Sequence, residues 1–116
     1  MGWANIRVAC GSLATAVFAF TALPATAADR DSAHELAQES NCYKCHSIKA
    51  KKDGPSWREI TDKNKGKADA EARLMKYVVS TSEKAKFADG HSEDHPAVKS
   101  NDEAKIKNLV QWLLSQ

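Results

Sequence analysis

Five consecutive residues, Cys42-Tyr43-Lys44-Cys45-His46, hold the densest chemistry in the chain. Two thiols three positions apart, followed at once by an imidazole, form the C-x-x-C-H arrangement of covalent haem attachment. On one turn, each cysteine can form a thioether to a haem vinyl group. His46 is then held under the iron as the proximal ligand. Two covalent links also retain the cofactor, one haem c, in a chain too small to bury it fully. Other uses of a close cysteine pair fit less well. A zinc site wants further Cys or His at ligand spacing, and the chain has no second cysteine pair. A thioredoxin-like pair belongs in a βαβ setting, which the hydrophobic pattern lacks.

Four helical segments and their loops must position these residues, and no strand is convincing. The first helix is expected over Asp31 to Asn41, with Ala33, Leu36 and Ala37 on one face and His34 as a surface residue. A short second helix is expected to begin at Pro55, where proline suits the first helical position, and to bring Trp57 and Ile60 together. The third, Ala68 to Ser80, groups Leu74, Tyr77 and Val78; Met75 falls within it and reads as core. The last opens on Ser100 and Glu103 as a capping box and continues with Ile106, Leu109, Val110 and Leu113 at helical spacing. Thr81 to Lys99 is rich in charge and reads as a loop, long enough without its own structure to imply a function.

The N-terminus has a different composition. Met1 to Ala28 contains no acidic residue, and an apolar run from Val8 to Leu23 ends at Pro24 and the small residues Ala25-Thr26-Ala27. This pattern predicts a secretory signal over 1–27, cleaved after Ala27, and hence a periplasmic protein. At roughly 16 residues the run is short of the ~20 that span a bilayer, so no stable membrane insertion is expected after cleavage. Cys10 leaves with the leader. Of the 116 residues, 28–116 then remain as one domain, near the size where a protein core alone gives marginal stability. Of 17 Lys and Arg, only Arg7 precedes residue 28, so 16 face 15 Asp and Glu. That balance gives no global field for nucleic acid or an anionic membrane.

The mature chain resembles a class I cytochrome c of the small bacterial monohaem type. The resemblance spans nearly all of it: a helix leading into Cys42–His46, then Gly54-Pro55, then a terminal helix ending Leu109-Val110-Gln111-Trp112-Leu113-Leu114. It implies an all-α fold of about four helices wrapped around one covalently attached haem. It also implies that the Pro55 carbonyl accepts a hydrogen bond from His46, fixing the ring and raising its basicity. First and last helices would cross, setting Leu36 and Ala37 against Leu109 and Trp112.

The sequence departs from that family on the distal side. Most class I cytochromes place a Met before a Pro ahead of the last helix, whereas no Met follows Met75 here. The matching dipeptide is His95-Pro96, with His91 four residues earlier. His95 is the expected distal ligand, His91 its alternative, and two exposed histidines beside an open iron position the third reading. Imidazole in place of Met lowers the potential. The expected function is a periplasmic one-electron carrier, not an enzyme, with His/His ligation and low potential. Redox partner proteins would dock near Lys44, Lys49, Lys51 and Lys52, which would ring the haem edge, although solvation alone explains those lysines equally well. Two other classes share these features. One is a haem protein that binds or senses NO, CO or O2, and the other is a small cytochrome subunit of a larger haem complex with a partner subunit.

Overall fold

A computed structural model of the chain describes residues 27–116. The expected leader, with Cys10, lies outside the described residues. Four helices occur in order: α1 Arg30–Glu39, α2 Trp57–Asn64, α3 Ala70–Val79 and α4 Glu103–Leu113. A single 3-10 turn, Cys42–Lys44, separates α1 from α2. Two short strands, β1 Lys84–Lys86 and β2 Ser92–Asp94, lie between α3 and α4.

Three of the four helices, α1, α2 and α4, start where a side chain satisfies free amides, whereas Asp69 before α3 makes no such bond. Asp29 caps α1 by accepting from Asp31 N at 3.0 Å and Ser32 N at 3.3 Å. Asn41 then turns the chain into the cysteine motif in the left-handed region, φ 58°, which Asn tolerates better than most residues. The capping box lies at α2, not α4. Ser56 N donates to Glu59 Oε2 at 2.7 Å, and Glu59 N donates to Ser56 Oγ at 3.2 Å. Pro55 therefore precedes the cap instead of opening the helix. At α4 the cap is Asp102, which accepts from Ala104 N at 2.9 Å and Lys105 N at 3.2 Å. Ser100 lies two residues outside, accepting from Asp102 N at 3.1 Å.

The core forms where α1, α2 and α4 meet. Ala33, Leu36, Ala37, Trp57, Leu109, Trp112 and Leu113 make one buried cluster. Every residue of the expected α4 stripe, Ile106, Leu109, Val110 and Leu113, is buried. Each fully buried Leu or Val contributes about 1.5–3 kcal/mol. The start of α1 is clamped to α4 by two amide bonds: Asp29 N to Asn108 Oδ1 and Asn108 Nδ2 to Asp29 O, both 2.7 Å. Thr61 Oγ1 ties α2 to the end of α4 through the Leu113 carbonyl at 2.8 Å.

The stretch expected to be a bare loop contains an antiparallel hairpin. Lys84 pairs with Asp94, Ala85 with Glu93 and Lys86 with Ser92. No β-branched or aromatic residue sits in either strand, so propensity gave no signal. Charge and a turn residue hold the hairpin instead: Lys84 pairs with the Asp94 carboxylate, and Gly90 turns the chain at φ +90°.

Candidate functional site

The cysteine motif is a tight turn closed on itself. Cys42 O accepts from Cys45 N at 3.3 Å and from His46 N at 3.0 Å, which sets both thiols and the imidazole on adjacent faces of one turn. Cys42 and Cys45 are half-buried, and their sulfurs are not joined. Burial pushes the Cys42 thiol up, against a modest lowering by a backbone hydrogen bond. A redox-active or metal-binding thiol is normally shifted the other way.

The segment after the motif returns to hold His46 from below. Gly54 N donates to Cys45 O at 2.8 Å, and Trp57 N and Arg58 N reach Ser47 O and Ile48 O at 2.9 and 3.1 Å. His46 Nδ1 then lies 2.6 Å from the Pro55 carbonyl. A carbonyl only accepts, so Nδ1 carries the proton and Nε2 keeps its lone pair free for a metal. Gly54 makes this approach possible. A Cβ there would stand 2.7 Å from His46 Cε1 and 3.0 Å from Cys45 O.

His95 faces His46 from the far side. Their ring centroids are 6.2 Å apart at an interplanar angle of 53°. The hairpin delivers it: His95 N donates to Glu83 O at 2.8 Å, one step beyond the β1–β2 ladder. Val98 N then ties the chain to Val78 O, at the end of α3, at 2.9 Å. Tyr77 of α3 lies against His95, ring centroids 5.0 Å apart. Burial, and then the neighbouring His46, pulls His95 below the ordinary imidazole value, which keeps the ring neutral and able to donate a lone pair.

These residues fit an iron porphyrin on three counts. The His46 and His95 rings, 6.2 Å apart, leave a gap in which both imidazoles could hold one iron. His95 Nδ1 is a buried nitrogen without a partner among the described residues, as expected of a site completed by a further group. Tyr77, which lies against His95, and Leu74 and Val78 on the same helix are only half-buried, a face that a large flat apolar group would cover. No cluster of three His, Cys, Asp or Glu able to hold a bare metal ion occurs among the described residues.

His91, the alternative distal ligand, is elsewhere. It lies exposed at the hairpin tip, stacked on Phe87 and facing Asp89 and Glu93, and its nearest ring is Phe87 rather than His46. His34, expected on the surface, is half-buried. Its Nδ1 is 3.1 Å from Tyr43 Oη, and its ring lies beside Trp112 at 6.3 Å. Tyr43 in turn meets Trp57 edge-on at 4.8 Å, so an aromatic group backs the motif. Only the polar neighbourhood of His34 was visible in sequence; the contact spans two elements. All four lysines are exposed, and Lys52 Nζ also donates to the Tyr43 carbonyl at 2.6 Å. Among the described residues, no helix is long and apolar enough to cross a membrane.

Comparison with known proteins points to one family. The family model described as "Cytochrome c" matches residues 31–116. The chain is similar to the crystal structure of the class 1 cytochrome MtoD from Sideroxydans lithotrophicus ES-1: 53% identity, TM-score 0.72, covering 77% of this chain and 97% of that one. It is 33% identical to cytochrome c-552 of Hydrogenobacter thermophilus over 70% of this chain and 78% of that protein. It is 36% identical to cytochrome c2 of Rubrivivax gelatinosus over 69% of this chain and 92% of that protein.

Proposed function

Since this chain belongs to the cytochrome c family and carries one covalent haem c, we propose that it is a periplasmic one-electron carrier of low potential. In this reading residues 1–27 are removed on export and 28–116 form the haem domain. Cys42 and Cys45 hold the haem by thioethers, and His46 and His95 ligate its iron.

The observation that supports this most is the opposition of His46 and His95 across 6.2 Å. The bound haem supplies the one-electron couple. The chain supplies everything that makes transfer fast and directed. The Pro55 carbonyl polarises the His46 N–H at 2.6 Å, which strengthens the ring as a donor and favours the ferric state. Burial favours the neutral form of His95, which leaves its ring a lone pair to donate. The exposed Lys44, Lys49 and Lys51 beside the motif offer an acidic partner a small, charge-steered surface.

The test is voltammetry of the holoprotein combined with carbon monoxide titration of its reduced form. A reversible one-electron wave at low potential with no spectral response to carbon monoxide supports a carrier. Ready carbon monoxide binding contradicts it and favours a ligand-binding role.

A further inference from the structure

We infer that His91 is a positioning residue for His95: it clasps the hairpin that delivers the distal ligand and keeps that ligand from swinging away. The inference rests on the reading of His95 as iron ligand. The hairpin is poorly held by its strands alone. Each strand has three residues, and none of the three cross-strand pairs joins two apolar side chains. An isolated hairpin of that kind is marginal at best.

His91 joins all three parts of it. Its ring lies flat on Phe87, just after β1, with centroids 4.3 Å apart and planes 10° apart. Its Nδ1 meets the Asp89 carboxylate in the turn, and its backbone N donates to the same oxygen at 3.0 Å. Its Nε2 lies 3.4 Å from Glu93 Oε1 on β2. Phe87 N donates to His91 O at 3.0 Å, which closes the loop that Gly90 turns. β2 ends at Asp94, next to His95, and His95 N is itself bonded to Glu83 just before β1. A hairpin that opens at its tip therefore releases the strand ending at the distal ligand.

The test measures how fast cyanide replaces His95 on the ferric holoprotein, a rate set by how often His95 leaves. His91→Ala is expected to raise it about tenfold, the combined scale of one ring stack and two exposed polar contacts. His91→Arg is expected to restore it, because a planar guanidinium stacks on Phe87 and donates to both carboxylates. Thr61→Val, which removes the Leu113 bond at the other end of the molecule, is expected to lower the melting temperature without raising the rate. A His91→Ala rate within about twofold of the native one, or an equal rise in Thr61→Val, overturns the inference. A high-spin ferric spectrum in the native protein overturns the reading of His95 and the inference with it, whereas a low-spin spectrum with an unchanged His91→Ala rate overturns the inference alone.

Discussion

A methyl group at position 54 would meet the His46 ring at 2.7 Å, well inside ordinary contact, while the ring is also tied to Pro55. Gly54→Ala should therefore tilt or push the proximal imidazole and cost about 1–3 kcal/mol, the usual scale of overpacking. Denaturant titration would read the cost, and electron paramagnetic resonance of the ferric form would read the tilt. Unchanged g-values would mean that the ring has room the structure does not show. At this scale much was legible. Cys42, Cys45 and His46 are a fixed local spacing, and Gly54-Pro55 follows at a distance the chain can close. The His34–Tyr43 bond was not legible, because nothing in either residue's neighbours says that α1 and the motif turn will bring them within 3.1 Å.

The helices were read more securely than their ends. The stripes of α1 and α4 follow from 3.6-residue periodicity, and burial on one face enforces them. Capping is decided by which polar side chain reaches free amides, and of the chain's four S-x-x-E patterns two, at Ser56 and at Ser100, lie just before α2 and α4. Only the first forms a box, since Asp102 stands closer to the start of α4. Asp102→Ala should thus cost about 1 kcal/mol, and Ser100→Ala under about 0.5 kcal/mol, in paired thermal melts. Equal costs would reverse the assignment. The capping carboxylates also set the acid limit. Side-chain and backbone hydrogen bonds from Ser32 hold Asp29 below its ordinary 3.8, and those from Ser56 hold Glu59 below 4.5. Unfolding raises both affinities for protons. Their stabilisation is therefore full above those ordinary values and declines as pH falls through the lower folded ones. Melting temperature should be level from neutral pH to about 5 and drop below about 4. A midpoint already falling at pH 6 would point to a different group. The hairpin escaped the sequence because its pairs are charged and its strands short, so it had no periodicity to detect.

Across the whole molecule, the core of α1, α2 and α4 fixes one side of the site, while α3 and the hairpin bring the other side to it. The proximal half is tied by backbone bonds from Gly54 to Cys45, Trp57 to Ser47 and Arg58 to Ile48, and by the His46 bond to Pro55. The distal half depends on fewer ties, at Glu83 and Val78. Docking of an acidic partner through the local lysines predicts that electron transfer slows as salt rises and the Debye length shrinks from ~10 Å at 0.1 M. A flat profile in stopped-flow mixing would remove Lys44, Lys49 and Lys51 from docking. What the two halves enclose is read most directly from the absorption and near-infrared spectrum of the ferric holoprotein, recorded beside His95→Ala. Closure by His46 and His95 predicts a low-spin, six-coordinate native spectrum that becomes high-spin in the variant. A high-spin native spectrum, or a variant indistinguishable from the native protein, would contradict it.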